Sequence, residues 1–359
     1  MPYEQDARLK AAALAGKSGV RILALESSCD ETAASVVEDG RRVISHAMYS
    51  QIKIHEQYGG VVPEIASRKH LEKLPYVVES ALNDARMSIS DCDAIAVTYG
   101  PGLVGALLTA VSYAKAAAYA AKKPLIPVNH IEGHIAANYI SYPELEPPFI
   151  CLVVSGGHTE IVKTEDFGKY TLLGSTRDDA AGEAFDKAAR VLGLTYPGGP
   201  NLQRLAEKGD AKKYALPRSF RGETHLDFSF SGIKTAVINL IHGMQQRGEE
   251  YNPADVAASF QRTVAEELVK NTFIAAERTG MDKVAIAGGV SANAELRRLA
   301  EQAAEKRGMQ LYVPKFEYCT DNAAMIGAAA YYALSRGAAG LELNAVPSLE
   351  LGEQSKHLF

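Results

Sequence analysis

Short apolar runs, each closed by glycine, proline, aspartate or asparagine, divide this chain into strands and helices that alternate along its length. Residues 21–25, 33–37 and 43–49 predict three strands joined by turns, and 63–85 predict a long amphipathic helix. Strand, helix, strand and helix follow at 94–98, 104–121, 125–128 and 131–140, with Gly100-Pro101-Gly102 breaking the first strand from its helix. The series then restarts. Residues 150–154, 159–163 and 170–174 repeat the three strands, 180–192 the helix, and 283–287, 292–307, 310–313 and 322–335 the alternation that follows. The second series is longer by about 60 residues, an insertion placed at about 198–252.

A duplicated β-β-β-α-β-α-β-α unit predicts an α/β fold of two lobes, residues 20–145 and 146–336, facing each other across a cleft with ligands beyond the strand ends. Residues 337–359 are expected to pack back on the first lobe, and 1–19 to form a mobile extension. Turns at matching places support the cleft. Glu26-Ser27-Ser28 and Ser155-Gly156-Gly157 close the first strand of each half, while Gly100-Pro101-Gly102 and Gly288-Gly289 each precede a helix. Glycine lets backbone N–H groups and helix N-termini approach an anion, so four such turns point to a nucleotide or phosphate site; singly, each reads as an ordinary tight turn.

His130 and His134 bring in a second chemistry. Four residues apart on a helix, they lie one turn above each other on one face, the spacing that lets two imidazoles converge on a metal ion. The zinc-protease motif H-E-x-x-H does not match, because Glu132 sits two residues from each histidine, roughly 200° around the helix. It points away from the ion and reads as a solvated or supporting residue. The third ligand is expected from Asp321, which follows the last strand of the second half as the histidines follow that of the first, so that pseudo-symmetry brings them together across the cleft. Its competing role is to cap the helix starting near Asn322. Two histidines and one carboxylate leave coordination positions open, as catalytic metals require.

Composition narrows the class. With 359 residues, 47% hydrophobic and 23% charged, the chain is long enough for two cores and is neither disordered nor fibrous. No run of eighteen apolar residues and no signal-peptide pattern is seen, which predicts a cytoplasmic protein without membrane contact. The four cysteines, Cys29, Cys92, Cys151 and Cys319, are widely spaced and read as free thiols. A net charge of −5 argues against a general nucleic-acid coat, so any polyanion must be met locally, by Lys53, Arg68, Lys69, Lys212, Lys213, Arg218 and Arg221.

Taken together, Glu26-Ser27-Ser28-Cys29-Asp30-Glu31-Thr32, Gly100-Pro101-Gly102, the histidine pair, Ser155-Gly156-Gly157-His158, Gly288-Gly289-Val290-Ser291-Ala292-Asn293 and Cys319-Thr320-Asp321, with segments 59–68, 181–187, 196–199 and 227–232, resemble the tRNA N6-adenosine threonylcarbamoyltransferase family, formerly labelled O-sialoglycoprotein endopeptidase. The resemblance runs in order over about 20–336 and implies a duplicated actin-like, ribonuclease H-like two-lobed fold. It also implies transfer of a threonylcarbamoyl group from threonylcarbamoyl-adenylate to N6 of the adenosine 3′ of the anticodon, with AMP released.

By the same resemblance, His130, His134 and Asp321 hold iron(II) or zinc(II), and Val153, Val154, Ser155, Gly156, Gly157, Asp186, Gly199 and Asn293 cradle the adenylate. Asp30 and Glu31 assist proton removal from the amine. Gln203 stands where some members carry a substrate-contacting acid, and Ser27 where threonine is usual. The implied partners are tRNA, a paralogous dimerisation subunit, a small ATPase that brings ATP and magnesium, and an upstream threonylcarbamoyl-adenylate synthase. The same fold also serves metallo-endopeptidase, ATP-dependent phosphotransferase and chaperone-like readings. The histidine pair favours the transferase over the magnesium-dependent readings, and the position of Glu132 disfavours the peptidase.

Overall fold

The structure, a computed structural model, describes residues 2–218 and 225–353. Its strands form two sheets of identical plan. The first contains β1 (Arg21–Glu26), β2 (Glu31–Glu38), β3 (Arg42–Ser50), β4 (Ala94–Gly100) and β5 (Leu125–Asn129) in the order β3-β2-β1-β4-β5. The second contains β6 (Phe149–Val154), β7 (Thr159–Asp166), β8 (Lys169–Ser175), β9 (Lys283–Ala287) and β10 (Gln310–Tyr312) in the order β10-β9-β6-β7-β8. In each, the first strand pairs antiparallel with the second and parallel with the fourth, as the duplication predicts.

The helices are α1 (Tyr3–Leu14), α2 (Ile52–His55), α3 (Pro63–Ala85), α4 (Val104–Ala121), α5 (His130–Ser141), α6 (Ala181–Val191), α7 (Gly198–Ala206), α8 (Ser231–Gln246), α9 (Pro253–Thr279), α10 (Ala294–Arg307) and α11 (Ala323–Ala333). The helix expected at 180–192 as the counterpart of α3 exists as α6, but α9 holds that place. It runs directly into β9 and packs on α10, as α3 runs into β4 and packs on α4. No element is predicted over α9 from the sequence because it is buried on most sides, Val256, Phe260, Val264, Leu268 and Phe273 among its core residues, and shows no single apolar stripe. The additional segment therefore begins with α6 and not at 198.

Two compact units result. One comprises Met1–Glu146, Asp166–Tyr170 and Thr320–Phe359; the other comprises Pro147–Glu165 and Thr171–Cys319. The expected second lobe ended at 336, but everything from Thr320 onward belongs to the first unit, where α11 packs on β1, β2 and β5 beside α5. The physical reason is that α11 is apolar all round, with nine of its eleven residues buried, so it fills the second face of the first sheet while α3 and α4 cover the other. Residues after α11 continue on this unit: Ala339 pairs with Leu125, the Val346 N–H donates to the Tyr99 carbonyl at 2.8 Å, and Leu343 and Leu349 are buried. The segment expected to be mobile is helical over α1, with Ala7 and Ala11 buried and the Tyr3 hydroxyl donating to the Lys123 carbonyl at 2.9 Å. One described helix, α4, is long and apolar enough to cross a membrane, but Ala110, Val111, Ala114 and Ala118 face the first core.

Close approach of α11 to the sheet depends on Gly327. A Cβ there would lie 2.6 Å from Val37 Cγ2 and 3.3 Å from Ala24 Cβ, both on buried strands with no room to retreat. Gly327→Ala is expected to cost about 1–3 kcal/mol through overpacking, read as a lower midpoint in urea denaturation with an unchanged slope.

Candidate metal centre

Asn129 ends β5 and starts α5, its side-chain oxygen accepting from the Ile131 N–H at 2.8 Å. That cap turns the first residue of the helix, His130, and the fourth after it, His134, toward the N-terminal end of α11. Gly133, between them, permits the crossing: a Cβ there would lie 2.7 Å from Ile326 Cδ1. Asp321 waits one residue before the α11 cap. That cap is Asn322, whose oxygen accepts from the Met325 N–H at 2.9 Å, so the capping role expected for Asp321 falls to its neighbour and the Asp321 carboxylate faces the histidines.

Asp321 Oδ1 lies 3.2 Å from His134 Nε2 and 3.4 Å from His130 Nε2, and the three donor atoms all fall within 4.8 Å of one another. Ligands sharing one tetrahedral ion at about 2.0–2.1 Å would stand roughly 3.3 Å apart, so these separations suit a single zinc- or iron-sized ion. A second observation agrees: both ring nitrogens of His134 are buried without a hydrogen-bond partner among the described residues, although Nε2 is within ion-pair range of Asp321. Such a nitrogen is costly unless something accepts its lone pair. Two nitrogens and one oxygen form a donor set that suits zinc or iron better than magnesium. All three residues belong to the first unit. They meet because α11 returns to the first sheet, not through pseudo-symmetry between halves.

Burial opposes charge on each of the three. At Asp321 it is outweighed by His130 and His134, which hold the carboxyl far below its usual range; at His130 it is outweighed by Asp321 and Glu26, which lift the imidazole well above its usual range. At His134 burial prevails, keeping this ring neutral with a lone pair to give.

Glu132 points away from the pair as the helical angle predicts, but it is not solvated. Its side chain is 1% exposed and both oxygens meet Arg336, at 2.8 and 2.7 Å, with the Tyr170 hydroxyl donating to Oε1 at 3.2 Å. Arg336 and Tyr170 carry no signal in the sequence, since their partnership requires the hairpin tip and the chain end to be placed first. Asp30 and Glu31 are both largely buried in the turn after β1. Burial, and then the neighbouring Asp30 charge, push the Glu31 carboxyl well above its usual range. His70 braces this turn, its Nε2 lying 2.9 Å from the Cys29 carbonyl and its Nδ1 2.8 Å from the Thr32 hydroxyl. Burial also pushes the Cys29 thiol well up, consistent with a free structural thiol.

The three turns that contain glycine are not alike. In the first unit, the Gly102 N–H donates to the Pro347 carbonyl and a Cβ at Gly102 would sit 2.6 Å from the Ser28 carbonyl, so this turn serves close packing and offers no anion cradle. In the second unit Gly156, Gly157 and Gly289 have nothing within 4 Å of a Cβ position. There the predicted substrate residues do converge at the C-terminal ends of β6 and β9. The Gly182 N–H at the start of α6 donates to the Ser155 carbonyl, Gly288 abuts the Val154 carbonyl, Asp186 Oδ1 accepts from the Gly199 N–H at 3.2 Å, and Gln203 Oε1 accepts from the Ala294 N–H at 3.1 Å. Val153 and Val154 are fully buried and offer only backbone. Asn293 caps α10 through the Leu296 N–H at 3.0 Å and donates to Gln261 at 2.9 Å. Asp178, Asp179 and Glu183 are structural, bonded to Ser229, Lys187 and Lys187 respectively.

Of the basic residues, Arg68, Lys69 and Arg218 pair with Glu64, Glu72 and Glu266, and Arg221 lies outside the described residues. Lys53, Lys212 and Lys213 remain as candidates for phosphate contact.

A sequence profile of the family described as tRNA N6-adenosine threonylcarbamoyltransferase matches residues 42–328. The enzyme of that name from Clostridium botulinum (strain 657 / Type Ba4) is 55% identical over 339 residues, covering 94% of this chain and 100% of its own. The one from Clostridium novyi (strain NT) is 56% identical over 337 residues, covering 93% and 99%. Among solved structures, T. kodakarensis HypF superposes with a TM-score of 0.57 at 16% identity, over 89% of this chain and 48% of its own. Component A of the Acidaminococcus fermentans (R)-2-hydroxyglutaryl-CoA dehydratase gives 0.52 at 15% identity, over 88% and 100%. At such identities the likeness is one of fold, and the fold is the duplicated actin-like one.

Proposed function

The chain belongs to the tRNA N6-adenosine threonylcarbamoyltransferase family and is a transferase acting on tRNA, and from that premise we propose that His130, His134 and Asp321 hold a divalent ion, iron(II) or zinc(II), against the threonylcarbamoyl group of a threonylcarbamoyl-adenylate donor. The observation carrying this reading is the gathering of three donor atoms within 4.8 Å, one of them a buried histidine nitrogen with no hydrogen-bond partner among the described residues. When bound, the ion supplies Lewis-acid polarisation of a donor oxygen.

The remaining work falls to the chain. The turn at Ser155, Gly156 and Gly157, with Asp186, Gly199, Gln203 and Asn293, receives the adenylate: the open space beside Gly156 and Gly157 lets its phosphate approach the backbone and leaves AMP as a stabilised leaving group. The attacking N6 of adenosine is a weak nucleophile whose lone pair is delocalised into the ring, so its proton must leave as the new bond to the carbonyl carbon forms. Asp30 and Glu31 take that proton. Burial and like charge raise the proton affinity of Glu31, which suits a base for an amine. Glu132 is not available as a base for peptide hydrolysis, since Arg336 and Tyr170 occupy its oxygens. Lys53, Lys212 and Lys213 contact tRNA phosphates, and a paralogous subunit and a small ATPase complete the assembly.

Mass spectrometry of nucleosides tests the reaction. Unmodified tRNA incubated with this chain, its partner subunits, ATP, bicarbonate, threonine and an adenylate-forming enzyme should yield threonylcarbamoyladenosine beside the anticodon, and Asp321→Ala should yield none. An unchanged adenosine in the complete mixture rejects the reading. For the adenylate turns, Asn293→Ala is expected to weaken nucleotide binding in calorimetry and leave tRNA association unchanged, with about 1 kcal/mol of stability lost through the α10 cap. Loss of tRNA binding with normal nucleotide affinity would reverse the assignment.

A further inference from the structure

We infer that Glu26 is a positioning residue for the metal centre: its buried carboxylate accepts the Nδ1 proton of His130 and so fixes this ring with Nε2 turned toward Asp321. This role presupposes the ion assigned above to His130, His134 and Asp321. Glu26 ends β1, a strand otherwise apolar from Ile22 to Leu25, and it is 0% exposed. A carboxylate in that position is costly unless its lone pairs are used. They are. Oε1 accepts from the Ser28 N–H at 2.5 Å; Oε2 accepts from the Thr98 hydroxyl at 2.5 Å and faces His130 Nδ1 at 3.2 Å. The parallel pairing of β1 with β4, Leu25 opposite Val97, brings Glu26 beside Thr98 and holds the carboxylate from both strands.

An ionised carboxylate accepts and does not donate, so the proton between Glu26 and His130 stays on Nδ1, and a bound ion would take the place of the proton on Nε2, which lies 3.4 Å from Asp321 Oδ1. Ser28 Oγ, 3.1 Å from the same Nδ1, adds a second polar neighbour. No such support exists for His134, neither of whose ring nitrogens has a hydrogen-bond partner among the described residues. The two histidines are therefore inequivalent: one is aimed by a charged partner, the other by packing alone. Charge gives Glu26 a second task. A dipositive ion held by two neutral imidazoles and one carboxylate leaves a net positive charge in a buried place, and the Glu26 carboxylate cancels it without occupying a coordination position.

The deciding variant is Glu26→Gln, which keeps the shape and removes the charge. Competition titrations with cobalt(II) and zinc(II) should give affinities about 10–100-fold weaker than for the unaltered chain, with shifted cobalt(II) absorption bands and a metal-free variant that still unfolds cooperatively. Unchanged affinity and unchanged bands overturn the inference and leave Glu26 as a brace for the Ser28 turn. Nitrogen NMR of the zinc-loaded unaltered chain, labelled at histidine, gives an answer even where the variant does not fold. A hydrogen-bonded Nδ1–H on His130 supports the role, and zinc on Nδ1 overturns it. Failure of the metal reading itself has another signature, because the unaltered chain and His134→Ala would then bind cobalt(II) alike, and both assignments fall together.

Discussion

His134→Ala should purify without a divalent ion and without transferase activity, while Glu132→Ala, two residues away, should keep its metal. The contrast follows from helix geometry and from what each side chain touches. His134 presents Nε2 to Asp321 at 3.2 Å and has no other polar partner among the described residues, so its removal subtracts a ligand and strands little else. Loss of a supporting residue costs about 10–100-fold in metal affinity, and loss of a direct ligand from a three-residue site should exceed that range. Elemental analysis of the purified variants, normalised to protein, reads the result. A normal metal content in His134→Ala, or depletion confined to Glu132→Ala, sinks the ligand assignment.

Arg336→Met should lose about 3–5 kcal/mol of folding stability, the cost of leaving the buried Glu132 carboxylate without its charged partner. The guanidinium meets both oxygens, at 2.8 and 2.7 Å, so no single water can replace it in geometry or charge. The double variant Glu132→Leu with Arg336→Met should recover much of the loss, because two apolar side chains of similar volume need no partner. Denaturation in urea, with the midpoint compared across the two single variants and the double, measures the coupling. Equal destabilisation in the double variant and the singles combined would show that the pair is not coupled. Metal content should survive in both Glu132→Leu and the double variant if α5 keeps its place.

How much of this was readable beforehand depends on how local each signal is. The histidine pair is legible because helix periodicity acts over four residues, and the two sheets because each strand is a short apolar run closed by a turn residue. Asp321 does stand beside the two histidines, yet for a reason other than its place after the last strand: the return of α11 to the first sheet depends on an all-round apolar surface that periodicity does not resolve. The same blindness hides α9. Glu26 shows a faint signal, a lone acid ending an apolar strand, while the Arg336 and Tyr170 contacts with Glu132 arise only from tertiary placement. Glycine spacing at Gly100-Pro101-Gly102 matches that of an anion turn, but the chain end fills the space.

The return of the chain at Thr320 has a consequence for synthesis. The second unit is encoded almost entirely between two portions of the first, so on the ribosome it emerges complete while the first sheet still lacks the helix that covers one of its faces. Its histidines are then already present, and their carboxylate partner is not. A truncated chain stopping before Thr320 should therefore remain prone to aggregation and bind zinc poorly, whereas the finished chain gains helix and ligand in the same few residues. Zinc uptake by chains stopped before and after α11 should therefore differ, because the covering helix and the third proposed ligand are made together.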